Sequence, residues 1–258
     1  MGILKNKVAI VTGAAGGLGE AIARAYADEG ANVVVSVNNS KGNGEKIVDK
    51  INKAGKSKAV LVVTDVTSED SVASTVEKTV QRFGKLDILV NCSGIIMRKS
   101  LLDHSLEDWE KVMSVDLTGT FLTGKYAAKQ MIKQNSGKII NVASIAGLIG
   151  YDYVSYSASK AGVINLTRTM ASELGPYGIN VNSICPGLVI TNINRAVVEG
   201  NKELYDKSVK KIPSRKLGLP IDIAQSAVFL ASEKSNYING VALTVDGGAI
   251  CHFNYYGD

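Results

Sequence analysis

The feature that most constrains this chain is an alternation. Short apolar runs rich in β-branched residues recur along it, separated by stretches with helical periodicity. KVAIVT (7–12), NVVVSV (32–37), KAVLVVTD (58–65), LDILVNC (86–92), GKIINVAS (137–144), INVNSICPG (179–187) and VALTVDGG (241–248) read as seven strands. They are apolar without strict alternation, the pattern of parallel strands buried on both faces. Residues 17–30 place Leu18, Ile22, Ala25 and Tyr26 on one helical face, and that helix ends at Gly30. Further helices are expected over 44–54, over 68–84 behind a Ser68 cap, over about 106–134 with an interruption near Gly119, and over about 153–174. The order predicts one α/β domain spanning 1–258, a doubly wound parallel sheet of about seven strands with helices on both faces. No linker, repeat or low-complexity tract divides it. The least regular part, 187–219, contains PGLVITN and IPSRKLGLP and is expected to form a substrate lid outside the strand ends.

Composition narrows the function classes. A chain of 258 residues with 45% hydrophobic and 21% charged residues is globular and long enough for a sizeable core. Its net charge of +5 comes from 29 basic and 24 acidic residues spread without blocks, which argues against nucleic acid as a partner. The longest weakly charged run, 139–159, carries Asn, Ser, Gly, Tyr and Asp and makes a poor membrane span, and the N-terminus reads as no signal peptide. Cys92, Cys185 and Cys251 lie far apart with no C-x-x-C and no metal-ligand spacing, so no metal site is expected. Their odd number and wide separation favour a reducing compartment, hence the cytoplasm.

Two stretches bear chemistry. TGAAGGLG (12–19) joins the first strand to the first helix. Gly13, Gly17 and Gly19 would give a tight turn, a close backbone approach and close helix–strand packing, and the helix N-terminus would offer N–H groups to a pyrophosphate. In this strand–turn–helix context the reading is a Rossmann-type dinucleotide fold rather than an unoccupied βα turn. The second stretch is YVSYSASKAG (153–162), where Tyr156 and Lys160 stand four apart, one turn along a helix face. By itself that pair fits a small-residue helix face with a snorkelling lysine better than it fits a catalytic pair.

The rest of the chain moves the balance. T-G-x-x-x-G-x-G at the glycine turn resembles the short-chain dehydrogenase/reductase family, and its other marks follow in order. Asp65-Val66 looks like the adenine-contacting pair. Asn91-Cys92-Ser93-Gly94 imperfectly matches an Asn-Asn-Ala-Gly element. Ser144 ends the fifth strand twelve residues before Tyr156 of Tyr156-x-x-x-Lys160, and Pro186-Gly187 with Thr191 ends the sixth. The resemblance covers nearly the whole chain. It implies hydride transfer between a nicotinamide coenzyme and a carbon bearing a hydroxyl or carbonyl, in a small-molecule substrate. Tyr156 would pass the proton, Lys160 would favour the phenolate and bind the ribose, and Ser144 would hold the substrate oxygen. A free tyrosine titrates near ~10, too high for a base at neutral pH, and a nearby ammonium lowers that value. The coenzyme contacts implied are Gly13, Gly17, Leu18, Gly19, Asn38, Asp65, Val66, Asn91, Gly94, Tyr156, Lys160, Pro186, Gly187 and Thr191.

Departures matter too. Cys92 and Ser93 replace Asn and Ala, and Cys92 is read as a small buried hydrophobe. Asp116 stands where the family usually has Asn, a residue thought to hold a water connecting the lysine to solvent, and is added to the catalytic candidates. Tyr151 and Tyr153 are expected at a pocket wall or interface, and His104 and His252 at the surface or in loops. The second strand ends in Val37-Asn38-Asn39-Ser40-Lys41, with no acid for a ribose hydroxyl, but position 16 in the glycine turn is Gly rather than a basic residue. NAD and NADP both stay open, and the balance tips to NADP. GIIMRKSLLDHSLEDWEKVM (94–113) and IPSRKLGLPIDIA (212–224) resemble sugar-acid dehydrogenases of the gluconate and deoxygluconate types, with Arg98 a candidate carboxylate contact. Glucose dehydrogenases and 3-oxoacyl carrier-protein reductases share the framework. A sugar or sugar-acid substrate is expected, with the oxoacyl reductase as the alternative. A coenzyme-binding sensor or structural subunit with impaired chemistry, supported only by Asp116, is the alternative of another class. The family implies a homotetramer, and the aromatic tail 249–258 is expected at a subunit interface.

Overall fold

The computed structural model describes residues 2–151, 153–191 and 200–251. Seven strands form one parallel sheet: β1 (Val8–Thr12), β2 (Asn32–Val37), β3 (Ala59–Val63), β4 (Ile88–Asn91), β5 (Gly137–Val142), β6 (Ile179–Pro186) and β7 (Ala242–Val245). Their order is β3-β2-β1-β4-β5-β6-β7. The chain therefore reverses its direction of travel across the sheet between β1 and β4, which opens a crevice at their carboxyl ends. The helices are α1 (Gly17–Asp28), α2 (Lys41–Ala54), α3 (Glu69–Phe83), α4 (Leu106–Met113), α5 (Gly119–Gln134), α6 (Val154–Leu174), α7 (Lys202–Lys210) and α8 (Pro220–Ala231).

Every residue of β1 is buried, yet its side chains still alternate between two cores. Ala9 and Val11 join Val33, Val35, Ile22, Tyr26, Ile223 and Ala227 on one face. Ile10 joins Val34, Leu89, Ile139, Met131 and Met170 on the other. Each large aliphatic side chain so buried contributes roughly 1.5–3 kcal/mol. Helix ends follow local chemistry. Ser68 caps α3 by accepting from the Ser71 amide, and Gly84 closes it with φ 81°.

Three expectations are corrected. Helix α2 begins at Lys41, three residues before the expected 44. The interruption near Gly119 is not a break. Ser114–Thr118 form a π-helical turn between α4 and α5, in which the Gly119 amide donates to the Ser114 carbonyl. One residue more per turn lets the helix continue while its faces shift phase. Finally, α8 has no counterpart among the expected helices. It packs on α1, and the buried Tyr26 hydroxyl donates to the Ala227 carbonyl at 3.0 Å. Of the expected lid region 187–219, residues 192–199 lie outside the described residues, as does most of the aromatic tail, with His252. The described remainder of the region holds α7 and a parallel bridge between Val189 and Gly218.

Candidate active site

The glycine turn is shaped by absent side chains. Gly13 has φ +65°, and a Cβ there would stand 2.9 Å from the Cys92 carbonyl oxygen. A Cβ on Gly19 would collide with the Gly13 carbonyl. Both glycines are thus demanded by the chain's own packing. Gly17, at φ +57°, is different. Its missing Cβ would meet nothing nearer than the Thr191 side chain at 3.8 Å. So a Cβ on Gly17, at the start of α1, would touch Thr191 of the loop after β6, and among the described residues the open space lies beside Gly16, where a Cβ would meet nothing within 4 Å. Thr12, which sequence reasoning passed over, pins the turn to the exit of β4. Its hydroxyl accepts from the amides of Cys92 (3.0 Å) and Ser93 (3.2 Å).

The remaining expected coenzyme positions sort into those that border the crevice and those that do not. Leu18 is half-buried in the first turn of α1, and Asn38 is exposed just beyond β2. The Asp65 carboxylate accepts from the Thr67 amide and hydroxyl, and Val66 packs where a Cβ on Gly119 would sit. Pro186 ends β6, and the amide of Gly187 donates to Val245. Gly187 sits so close to Asp246 that a Cβ would come within 2.7 Å of that side chain. Asn91 is engaged through its side chain. Its side chain points into the core, accepting from Thr123 (2.7 Å) and donating to Asn141 (2.9 Å), which in turn donates to Thr167 (2.9 Å). The last residues of a strand alternate between faces, and this one braces β4, β5, α5 and α6, leaving only its backbone for a ligand.

Ser144, Tyr156, Lys160 and Asp116 come together beside this crevice. Ser144 follows β5, and its hydroxyl accepts from the Ala146 amide at 3.1 Å. Tyr156 is half-buried on α6, with the Lys160 ammonium 5.5 Å from its ring centroid. Lys160 itself is 4% exposed and donates to the Val142 carbonyl at 3.1 Å. Its Nζ is 3.4 Å from Oδ2 of Asp116, which is fully buried in the π-helical turn. Burial alone would pull the ammonium down, but Asp116, Tyr156 and Cys92 outweigh it and leave Lys160 above its ordinary value. Burial pushes the Cys92 thiol up to about 11 despite the nearby Lys160 charge, which disfavours the thiolate a nucleophile needs.

The outer wall is aromatic. Tyr151 and Tyr153 meet edge to face at 5.4 Å, and the Arg98 guanidinium lies 5.9 Å from the Tyr153 ring centre. Arg98 belongs to the segment after β4, which is tied down on both sides. The Ile95 amide donates to Asp116, and Lys99 pairs with Asp108 at 2.6 Å. His104 lies in the same segment but is less open than a surface loop residue, because both ring nitrogens are enclosed without a hydrogen-bond partner among the described residues.

Known proteins carry the same frame. The family model described as Enoyl-(Acyl carrier protein) reductase matches residues 13–250. The chain is 38% identical to the 3-oxoacyl-(acyl-carrier-protein) reductase FabG of Staphylococcus epidermidis over 94% of its length and 98% of that protein's. It is also 38% identical to glucose 1-dehydrogenase 2 of Bacillus subtilis, over 95% of each chain. A crystal structure described as a putative 2-deoxy-D-gluconate 3-dehydrogenase from Agrobacterium tumefaciens, with bound NADP, superposes with a TM-score of 0.87 at 35% identity, covering 96% of this chain and 98% of that one. The parallel sheet with its crevice and the serine, tyrosine and lysine beside it define a nicotinamide-dependent oxidoreductase acting on hydroxyl-bearing or carbonyl carbons. The chain belongs to the short-chain dehydrogenase/reductase family.

Proposed function

We propose that this enzyme interconverts a secondary alcohol and its ketone on a sugar or sugar acid. The observation that carries the substrate class is Arg98. It is exposed and held over Tyr153, one helical turn from Tyr156, with no carboxylate paired to it among the described residues. A guanidinium so placed suits a carboxylate. The relatives described as glucose and deoxygluconate dehydrogenases support the same class. Equal identity to the 3-oxoacyl reductase keeps reduction of a 3-oxoacyl thioester as the second reading.

The residues present fit a dinucleotide, because the glycine turn leaves space beside Gly16 in which a Cβ would meet nothing within 4 Å among the described residues. Gly13, Gly17, Leu18 and Gly19 with the α1 amides would hold the pyrophosphate against Thr191. Asn38, Asp65, Val66 and the backbone from Asn91 to Gly94 would line the adenosine side, and Pro186-Gly187 the nicotinamide side. When bound, the nicotinamide accepts or supplies the hydride. Tyr156 takes the proton from the substrate hydroxyl on oxidation and returns it on reduction. Lys160 stabilises the phenolate and binds the ribose, and Ser144 donates to the substrate oxygen and holds it in line. NADP is favoured, since Asn38, Asn39, Ser40 and Lys41 offer no carboxylate to repel a 2′-phosphate. A homotetramer joined through α4–α5 and α6, where Leu106 and Phe121 stand exposed, is the proposed assembly. Three unpaired cysteines suit a cytoplasmic setting.

The test is a panel of aldonates, aldoses and polyols with NAD and NADP, set against reduction of 3-oxoacyl thioesters. Expected is the highest kcat/KM on an aldonate. Preference for the thioester supports the second reading, and turnover of nothing leaves a coenzyme-binding subunit.

A further inference from the structure

We infer that Asp116 is a positioning residue whose carboxylate fastens the segment after β4 to the catalytic helix and offsets part of the Lys160 charge that Tyr156 would otherwise feel. The inference rests on the proposed role of Tyr156, and it begins with geometry. Asp116 is fully buried in the π-helical turn Ser114–Thr118. The phase shift of that turn aims its side chain at α6 while Val112 and Leu122 on the flanking helices stay buried. Both carboxylate oxygens are engaged. Oδ1 accepts from the Ile95 amide at 2.8 Å. Oδ2 lies 3.4 Å from the Lys160 ammonium and 3.4 Å from the Ser159 hydroxyl, whose shorter hydrogen bond goes to the Tyr156 carbonyl at 2.8 Å. The backbone carbonyl of Asp116 is occupied as well, accepting from the Thr120 hydroxyl at 2.6 Å.

Gly94 makes room for this cluster. A Cβ there would stand 3.3 Å from the Lys160 ammonium and 3.4 and 3.5 Å from the two Asp116 oxygens. The loop backbone therefore lies directly over the ion pair, and the neighbouring amide of Ile95 closes it. The titratable groups around the Lys160 ammonium are Asp116 from the π-helical turn, Tyr156 from its own helix, Cys92 from the exit of β4 and Cys185 from β6. The two thiols are held protonated by burial, each up to about 11. From β5 comes only the Val142 carbonyl. Asp116 is thus the one carboxylate of the set among the described residues. An opposite charge at this range favours the charged form of its partner. It keeps Lys160 an ammonium, and by the same field it opposes formation of the Tyr156 phenolate. The rate therefore reports an apparent value for the cluster.

Two measurements test this. The first is the pH dependence of alcohol oxidation, at saturating coenzyme and one substrate, for wild type and Asp116→Asn. Expected is a rise of the oxidation rate with pH whose midpoint moves to lower pH by about one unit in the variant, the order of effect of a nearby charge. Superimposed profiles, or a shift to higher pH, overturn the inference. A purely structural role would change the height of the profile and leave its midpoint in place. The second needs no substrate, so it decides the ion pair even if the functional reading fails. Lys160→Met strands a buried carboxylate, and adding Asp116→Asn removes the stranded charge. The double variant should melt at a higher temperature than Lys160→Met alone. A double variant no more stable than the single one shows that Asp116 carries no charge facing Lys160, and overturns the inference in the same way.

Discussion

The two walls of the crevice are built by opposite means. Along Thr12–Gly19 and Cys92–Gly94, shape comes from side chains that are missing: Gly13 lies under the Cys92 carbonyl, Gly19 under Gly13, and the space beside Gly16 is open among the described residues. Along β5 and α6, the site comes from side chains that are present and shut away from water: Asp116 and Lys160 at 3.4 Å, and Ser144 tied to the Ala146 amide. The first wall offers backbone donors that a ligand of fixed shape can use, and the second offers charge and a transferable proton. Damage to the first should appear in folding and coenzyme affinity. Damage to the second should appear in turnover and its pH dependence.

The largest effect expected is on the second wall. Tyr156→Phe removes the transferable proton and keeps the ring, so turnover should fall about 10²–10⁴-fold while coenzyme titration by fluorescence stays near wild type. A variant that keeps more than about a tenth of the rate would take Tyr156 out of this role.

On the first wall, the glycines should separate. Gly13→Ala combines a left-handed backbone with a Cβ 2.9 Å from the Cys92 carbonyl, and should cost about 2–4 kcal/mol in denaturant unfolding. Gly17→Ala has the same backbone conformation but no neighbour closer than 3.8 Å. It should cost about 1 kcal/mol of stability and weaken coenzyme binding about tenfold or more. Equal stability losses at the two positions, with equal affinities, would erase the distinction between packing glycines and a ligand-facing one.

Smaller effects test what lies outside both walls. Tyr26→Phe leaves one carbonyl of α8 short of a partner and should cost about 1 kcal/mol with kcat unchanged. Asp108→Ala frees Lys99 and the Ser105 cap of α4, loosening the segment that carries Arg98. KM for an acidic substrate should then rise a few-fold with little change in kcat. The hydrogen bond from Lys99 and those at Ser105 pull the Asp108 carboxyl down to about 2. A depressed carboxyl contributes above its unfolded value and loses that contribution only as pH falls through the folded one. The tie therefore persists through any ordinary assay range, and a KM that climbs between pH 7 and pH 5 in wild type would point to another group.

What could be read from the chain divides along the same line. Strands appeared because apolar β-branched runs in parallel sheets carry their signal locally, and β2 and the start of β6 fell where the residues placed them. The glycine turn was legible because its spacing is a backbone requirement. Helix α8 was not, since PIDIAQSAVFLA is apolar nearly all round and gives weak periodicity. Its start is fixed by the Leu219 amide donating to Asp222, a contact that spacing alone does not announce. The direction of the Asn91 side chain was equally hidden, because it depends on Thr123 and Asn141, which are distant in sequence. Asp116 stood out by residue type, but its hold on Ile95 requires the π-helical turn, which no local pattern marked.

The proposed chemistry is tested most directly by following the hydride. An aldonate deuterated at its reacting carbon is incubated with the enzyme and oxidised NADP, and the reduced coenzyme is weighed by mass spectrometry. Expected is reduced coenzyme one mass unit heavier, formed by wild type and all but lost in Tyr156→Phe. Reduced coenzyme without the added mass, or equal label from both proteins, would contradict direct hydride transfer governed by Tyr156.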